Sequence, residues 1–512
     1  MDTPLDRGGA TPHTTTFVPD LLYVGGRFER GLGLVCDAGG RVLSVARVEE
    51  LSGETVRLRN RALLPGMVNA HSHAFQRVIR GRTEYRGASA SDSFWTWREM
   101  MYAAAQRLTP EDVYDASRMA FMEMALAGIT SVGEFHYLHR TPEGGEYDDP
   151  NLLAREVIRA ARDVGLRIAL LRVAYARAGY GKEPDPRQRR FIEPDPDTFL
   201  RHTDALARDL GAGEPAHAWL GVAPHSVRAV PLDYILRVSR YAAERGLPVH
   251  MHVAEQPAEV EACLQETGCT PLALLGSEGV LGPNFTGVHV IHLKHEGWDD
   301  LQYLKSSGAM VCACPTTERN LGDGVVPADA LLGAGVRVAL GTDSHAQIDL
   351  LEDARELEYH LRLTTLRRNV LAPAAAEDGN RAGGGRANPS GEGRGMSALA
   401  ARLFGCATVA GAESIGALAG SFEPGRAADF FTVDLDDPTV AGAGAEDLLP
   451  AIVFSLSRAA VRETAVGGRL VAESGRHPAQ EEIVSRFGAL QKRLWGGKYR
   501  PPGTGGRAEG GA

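Results

Sequence analysis

Several histidines and acids of this chain stand where apolar, strand-like segments end. His71 and His73 follow ALLPGMVNA, His252 lies in LPVHMHVAE, His292 lies in VHVIHL, and Asp343 ends VRVALGTD. Because these residues are spread over more than half of the chain, they cannot form one local metal-binding finger. They can meet only if the strands run parallel and present their carboxyl ends to one point, as in a (β/α)8 barrel. The pattern therefore predicts a barrel-shaped metal hydrolase.

Strand and helix patterns alternate through the middle of the chain. The helix-like segment DVYDASRMAFMEMALAG precedes the strand-like TSVGEFHY, and PLDYILRVSRYAAERG precedes LPVHMHVAE. This alternation is typical of βα units with right-handed crossovers. An open doubly wound sheet is the competing topology, but no Gly-rich phosphate turn follows the first strand. We therefore predict an α/β fold with a TIM-like (β/α)8 barrel over residues 66–407.

The ends of the chain have a different pattern. Short strand-like segments with turn signals occupy residues 16–65 and 408–476, and we expect them to pair as one small β-sandwich domain. A C-terminal helix is predicted over residues 477–500. Composition predicts disorder for residues 1–15 and 501–512 and a mobile insertion for the Gly-rich residues 372–394.

Charge, cysteine content and hydropathy exclude several classes of protein. The net charge of −10 argues against a nucleic-acid partner, since such binding needs a basic face. Six scattered cysteines do not form a disulfide framework and fit a reducing compartment. No apolar run approaches the roughly 20 residues of a membrane span, and the first thirty residues lack a secretory signal pattern. We expect a cytoplasmic protein without a membrane partner.

The histidines and Asp343 have the chemistry of metal ligands. His71 and His73 alternate on one strand, so both imidazoles point to the same side. Neutral imidazole and carboxylate suit Zn²⁺, although iron and nickel accept the same ligands. His250 and His252 also share a side, and the pattern leaves the choice between them open. No lysine ends the segment AWLGVAPH, where a carbamylated lysine would bridge two ions, so one ion per chain is expected.

Three residues near these ligands are candidates for catalysis. A bound divalent ion would lower the pKa of a water molecule to about 7 and provide hydroxide at neutral pH. Glu255, three residues after His252, could take the proton of that water and pass it to a leaving nitrogen. His292 could stabilise the developing tetrahedral oxygen, with direct ligation as the minor alternative. Asp343 is predicted to be both a metal ligand and a catalytic residue.

Taken in order, these residues resemble those of the amidohydrolase superfamily, in its cytosine-deaminase-like branch with one metal ion. Several strings within residues 63–363 look like those of the formimidoylglutamate deiminases. They are NAHSHAFQR, DSFWTWREMMY, GEFHYLH, GVAPHSVRAV, HVAEQ, CPTTERNLGDG and GTDSHAQIDLLEDARELEY. The resemblance implies a zinc-dependent, homodimeric enzyme of histidine degradation. That family converts N-formimino-L-glutamate and water to N-formyl-L-glutamate and ammonia.

The resemblance also implies roles for individual residues. It selects His252 over His250, so that the implied ligands are His71, His73, His252 and Asp343, with Glu255 and His292 as acid/base and polarising groups. The implied substrate contacts are Gln76, Arg98, Tyr137, His225 and Arg228. A substrate with two carboxylates calls for guanidinium partners, which the two arginines would supply.

Two other functions compete with this hypothesis. A related guanine or heterocycle deaminase, or a chlorohydrolase of the same branch, would need neither Arg98 nor Arg228 in its pocket. A metal-free, barrel-shaped interaction protein would need none of the ligands, yet all four ligands and Glu255 are present. The sequence therefore favours the deiminase.

Overall fold

The computed structural model describes residues 14–51, 53–85, 92–182, 185–212, 217–374 and 394–496. The predictions of disorder at both ends, and of a mobile insertion over residues 372–394, concern segments that lie almost wholly outside the described residues.

Strands and helices are numbered in chain order. The strands are β1 Thr15–Val24, β2 Arg27–Glu29, β3 Leu32–Cys36, β4 Val42–Arg47, β5 Glu54–Pro65, β6 Met67–Ser72, β7 Ile129–His136, β8 Arg167–Ala174, β9 Ala218–Pro224, β10 Val249–Val253, β11 Phe285–His289, β12 Lys294–His295, β13 Trp298–Asp299, β14 Met310–Ala313, β15 Val338–Leu340, β16 Phe430–Asp434, β17 Val461–Val466 and β18 Arg469–Ala472. The helices are α1 Phe94–Ala105, α2 Pro110–Leu126, α3 Leu152–Val164, α4 Pro196–Ala212, α5 Leu232–Arg245, α6 Pro257–Thr267, α7 Pro271–Ser277, α8 Asp300–Ser307, α9 Pro315–Leu321, α10 Ala328–Gly333, α11 Leu350–Thr365, α12 Arg394–Ala407, α13 Val409–Ile415, α14 Leu448–Ser455 and α15 Gln480–Trp495.

Eight parallel strands form the barrel, and this confirms the predicted fold class. Their order is β6-β7-β8-β9-β10-β11-β14-β15, with each strand hydrogen-bonded to the next. The barrel closes at the carboxyl ends of β6 and β15, through a parallel bridge between Ser72 and Asp343. The Asp343 N–H donates to the His71 carbonyl at 3.0 Å, and the His73 N–H donates to the Asp343 carbonyl at 3.0 Å. The closure itself therefore brings three predicted ligands together.

Local sequence signals explain where the barrel helices begin and end. Helix α2 begins after Thr109, whose backbone N–H donates to the Asp112 carboxylate at 2.7 Å in a capping box. Pro110 then occupies the first turn, where no backbone donor is needed. Helix α5 ends at Gly246, which has the left-handed φ of 64° that glycine adopts without strain. These ends return the chain to the start of the next strand.

The two terminal segments form one β domain, as predicted. Their strands make a continuous mixed sheet in the order β18-β17-β16-β5-β1-β3-β4, with β2 paired to β1. The sheet curls until Val42 of β4 exchanges backbone hydrogen bonds of 2.8 Å with Gly425 and Arg426, ahead of β16. The enclosed core includes Phe17 and Phe430, whose rings lie 4.7 Å apart. The segment over residues 408–476 also carries helices α13 and α14.

Helix α13 packs against the interior of the barrel. The indole of Trp219 donates to the Ile415 carbonyl at 2.6 Å, and a Cβ on Gly133 would lie 2.7 Å from the Ile415 side chain. The stretch Ser397–Ile415 is long and apolar enough to cross a membrane by length and composition, and 61% of it is buried within the protein. Its packing against the barrel accounts for its apolar character.

Candidate metal centre and active site

Four side chains from three places in the barrel converge on one point. His71 and His73 come from the end of β6, His252 from β10, and Asp343 from the turn after β15. Their ligand atoms all lie within 4.8 Å of one another, and all four residues are buried. Nε2 of His71 is 3.1 Å from Nε2 of His73, which is 3.2 Å from Oδ1 of Asp343. The predicted ligand set is thus assembled as one cluster.

The hydrogen bonds of these rings fit a cation at the centre of the cluster. Nδ1 of His73 lies 3.0 Å from the Phe135 carbonyl, and Nδ1 of His252 lies 3.2 Å from the His225 carbonyl. A carbonyl only accepts, so each Nδ1 carries the proton and each Nε2 turns a lone pair towards the cluster. One proton on His71 could satisfy only one of these lone pairs at a time. A divalent ion satisfies all of them.

The spacing of the ligand atoms agrees with that conclusion. Two atoms about 2.1 Å from one tetrahedral ion lie roughly 3.4 Å apart. Nε2 of His252 lies 3.2 Å from Nε2 of His71, and Oδ1 of Asp343 lies 3.4 Å from the same atom. Nδ1 of His71 is buried and has no hydrogen-bond partner among the described residues.

Burial and charge also set the protonation states that a metal site needs. Burial lowers the pKa of His71 to about 3 and that of His252 well below its ordinary value. Burial opposes ionisation of Asp343, but the adjacent imidazoles of His71 and His73 hold its pKa well below its ordinary value. The imidazoles of His71 and His252 are therefore neutral and the carboxylate of Asp343 is charged at neutral pH, as metal coordination requires.

His289, and not His292, faces the ligand cluster. Nε2 of His289 lies 3.6 Å from Oε1 of Glu255 and 3.8 Å from Oδ2 of Asp343, and its ring stacks on that of His252 at 5.5 Å. Nε2 of His292 instead bonds to the Asp323 carbonyl at 3.0 Å. The structure thus places His289, three residues earlier, at the position that was expected for His292.

Strained backbone explains why strand β11 ends at His289 and not at His292. Nine non-glycine residues of the described chain have positive φ, and five of them lie at this site: Ala254, His289, Val290, Asp343 and His345. Such conformations are costly and cluster at functional sites. Strand β11 ends at His289, where φ is 71°, although the apolar residues of VHVIHL continue. Hydrophobic pattern alone therefore placed the strand end too late.

Glu255 lies beside the cluster and is buried. Burial raises its pKa, and the nearby His289 opposes that rise. The turn that carries Glu255 is fixed by Ala254, whose carbonyl accepts the backbone N–H groups of Ile291 and His292. The structure thus brings Glu255 and His289 to the same side of the predicted ligands.

Gln76 and Tyr137 form a second pair next to the ligands. Nε2 of Gln76 donates to the Tyr137 hydroxyl at 2.7 Å, and the Tyr137 ring lies 5.1 Å from that of His73. Oε1 of Gln76 is buried and has no hydrogen-bond partner in the described part of the chain. This acceptor is available to a donor group of a bound molecule.

Two arginines converge near His225. Burial, together with the charges of Arg228 and Arg98, lowers the pKa of His225 well below its ordinary value. Nη1 of Arg228 is buried and unpaired within the described residues. Arg98 donates to the Tyr175 hydroxyl at 3.3 Å, while the adjacent Glu99 pairs with Arg187 instead. In the described ranges, neither Arg98 nor Arg228 has a carboxylate partner.

Sequence reasoning missed a polar network beneath His71 and His73. The Ser72 hydroxyl donates to Oε2 of Glu134 at 2.5 Å, and Nε2 of His345 lies 3.1 Å from the same hydroxyl. Oε1 of Glu134 accepts the Ala74 N–H at 2.7 Å, and burial raises the pKa of Glu134 to about 7. The network ties β6 to β7 and to the turn after Asp343. Its only sequence signal was the presence of Glu134 and His345 at strand ends.

Comparison with known proteins finds relatives that match most of this chain. The amidohydrolase family model matches residues 62–471. A formimidoylglutamate deiminase from Pseudomonas aeruginosa is 37% identical over 427 residues, which cover 83% of this chain and 88% of that protein. The crystal structure of an amidohydrolase from Brucella melitensis is similar with a TM-score of 0.81 at 32% identity, covering 94% of this chain and 99% of that one.

A more distant solved structure shares the fold. Atrazine chlorohydrolase from Arthrobacter aurescens TC1, crystallised with zinc, has a TM-score of 0.73 at 21% identity and covers 93% of this chain and 100% of that one. At that identity the similarity shows a shared architecture alone.

Proposed function

This chain belongs to the amidohydrolase family, and on that premise we propose that it converts N-formimino-L-glutamate and water to N-formyl-L-glutamate and ammonia. It is a hydrolase that acts on C–N bonds, as its similarity to the Pseudomonas deiminase indicates. The finer assignment, a deiminase of histidine degradation, is supported by the residues around the metal ligands.

The observation that carries the substrate assignment is that Arg98 and Arg228 have no acidic partner among the described residues. A buried guanidinium is costly unless an anion or hydrogen-bond acceptor faces it. Nη1 of Arg228 is buried and has no partner among the described residues. The half-buried Arg98 makes one hydrogen bond there, to the Tyr175 hydroxyl, and lies over the rings of Trp95 and Tyr102. Both charges act on His225 and Glu255, so they lie close to the predicted reacting centre. A small dicarboxylate supplies two matching anions, whereas a neutral heterocycle supplies none.

His71, His73, His252 and Asp343 would hold one zinc ion per chain, and another divalent metal could replace it. A divalent ion held there would supply a water molecule of lowered pKa for attack on the formimino carbon. Closure of the barrel and the carbonyl partners of the imidazoles hold the four ligand side chains in place, and this keeps the site preorganised.

Glu255 and His289 divide the proton chemistry. Glu255 accepts one proton of the attacking water and passes it to the leaving nitrogen. The second water proton follows the same route as the new C–O bond becomes the formyl carbonyl, and the C–N bond breaks to release ammonia. Nε2 of His289, which lies between Glu255 and Asp343, contacts the oxygen on which charge develops. Gln76 and Tyr137 border the same space and help to orient the substrate.

An ammonia-release assay tests this function. Purified protein with its bound metal is incubated with N-formimino-L-glutamate, guanine or cytosine, and we expect release from the first alone. The Glu255→Gln variant should keep the metal content of the wild type and lose nearly all activity, which separates proton transfer from metal binding. Release from guanine or cytosine only would replace the proposal with the related heterocycle deaminase.

A further inference from the structure

We propose that Glu318 is a positioning residue that fixes the ring of His289 in the orientation used for hydrolysis. The inference rests on the proposed function, in which His289 contacts the reacting oxygen. It adds a residue of helix α9 that does not itself touch substrate.

The contact between these two residues orders the whole ring. Nδ1 of His289 lies 3.2 Å from Oε1 of Glu318. The opposite atom, Nε2, is buried and has no hydrogen-bond partner among the described residues, and it faces Glu255 at 3.6 Å. The ring therefore has one anchored nitrogen and one nitrogen left for the reaction.

Glu318 is itself rigidly held. It is 1% exposed, and its Oε1 accepts the Cys314 backbone N–H at 2.8 Å. Oε1 of Glu318 thus accepts the Cys314 N–H and also faces Nδ1 of His289. Because this oxygen acts as an acceptor, Nδ1 of His289 carries the proton of their hydrogen bond. This arrangement determines which ring nitrogen is free to face the reacting atoms, as orienting partners of active-site histidines commonly do.

The backbone at His289 makes such an anchor necessary. His289 and Val290 have φ values of 71° and 56°, and a β-branched residue such as valine is an outlier there. Conformations of this kind persist only when surrounding contacts hold them. The Val290 N–H donates to the Val253 carbonyl at 3.0 Å, which holds the main chain, and Glu318 is the carboxylate that holds the imidazole.

Asp353 offers a matched control. It is also a fully buried carboxylate next to helix α9, where its Oδ1 accepts the Thr316 N–H at 3.0 Å, but no hydrogen bond or ion pair in the described ranges joins it to a histidine. Asp353→Asn and Glu318→Gln therefore each replace a buried carboxyl group next to helix α9 by its amide, and only the second acts on His289.

The test is a double-mutant cycle with kcat, KM and metal content as readouts. Glu318→Gln should lower kcat by about 10- to 100-fold, with KM and metal content close to those of the wild type. In the His289→Asn background it should have no further effect, because the ring that it positions is gone. Asp353→Asn should change kcat by less than about twofold. Glu318→Asp, which keeps the charge but shortens the reach, repeats the cycle if Glu318→Gln does not fold.

Three results would overturn the inference: an unchanged kcat in Glu318→Gln, an equal loss in both backgrounds, or the same loss in Asp353→Asn. The cycle is measured with whichever C–N substrate the wild type hydrolyses. Failure of the proposed function, which appears as no ammonia from N-formimino-L-glutamate with wild-type protein, is thereby distinguished from failure of the role of Glu318.

Discussion

His250 and His252 lie on the same face of strand β10, yet their Nε2 atoms bond to different parts of the protein. Nε2 of His252 is 3.2 Å from Nε2 of His71, within the ligand cluster. Nε2 of His250 is 2.9 Å from the carbonyl of Ser414, on helix α13. Alternation along a strand gives two residues a common face, but their depth along the barrel decides which one meets the metal ligands.

This difference predicts different metal contents for two conservative variants. His252→Gln should lose most of its bound metal, because only His71, His73 and Asp343 remain as ligands. His250→Gln should retain the wild-type content, since its imidazole bonds to Ser414 and lies outside the cluster. Elemental analysis after dialysis measures both. Equal metal loss in the two variants would contradict the assignment of His252, and not His250, as a ligand.

Two nearby histidines should also differ in catalysis. His289→Asn removes the side chain that faces Glu255, and we expect kcat to fall by roughly 10²- to 10³-fold, as for other stabilisers of developing charge. His292→Asn removes a bond to the Asp323 carbonyl and should stay within about threefold of the wild type. Steady-state ammonia release compares the two. A larger fall of kcat in His292→Asn than in His289→Asn would support the catalytic role first predicted for His292.

The arginine pair should determine substrate affinity. Arg98→Ala or Arg228→Ala should each lower kcat/KM for N-formimino-L-glutamate by roughly ten- to hundredfold, because a charged hydrogen bond contributes about 1.5–3 kcal/mol. Arg228→Lys should recover part of the loss, since it keeps the charge without the planar fork. Arg237→Ala, which removes a guanidinium paired with Asp197 on the surface, is the control. Full activity of both active-site variants would contradict a dicarboxylate substrate.

A buried ion pair away from the site should govern acid stability. Arg172 and Glu193 are 0% and 1% exposed, and Nη2 of Arg172 lies 2.9 Å from Oε1 of Glu193. Burial opposes ionisation, but Arg172 holds the pKa of Glu193 well below its ordinary value. The folded pKa is thus below the unfolded one, so the pair stabilises above the ordinary pKa of about 4.3 and loses that contribution as pH falls.

Glu193→Gln should therefore destabilise the protein at pH 7 by about 3–5 kcal/mol, because it leaves the Arg172 charge buried and unpaired. Thermal unfolding midpoints measure the effect, and the gap to the wild type should narrow below about pH 4.3. Glu29→Gln, in an exposed pair with Arg27, should shift the midpoint far less. A gap that widens on acidification would show that the pKa of Glu193 is not depressed.

Much of the fold and of the metal cluster could be predicted because their signals are local. His71-Ser72-His73 follows a strand that ends in a predictable place, and Asp343 follows another. His289 could not be found in this way, because β11 ends while the apolar sequence continues into Val290 and Ile291. The left-handed backbone there depends on hydrogen bonds from a neighbouring strand, and such bonds leave no periodic signal.

Hydrophobic periodicity and side-chain chemistry were enough to predict the alternating βα units, the pairing of the terminal β segments and the types of side chain at the strand ends. Periodicity leaves open which of His250 and His252 joins the cluster, and the tertiary structure places His252 there and His289 beside Glu255. The tertiary structure also decided that Glu318 contacts His289 and that Nη1 of Arg228 is buried without a hydrogen-bond partner in the described ranges. The physical reason is that depth in the barrel, strained backbone and buried charge are set by contacts between residues far apart in the chain.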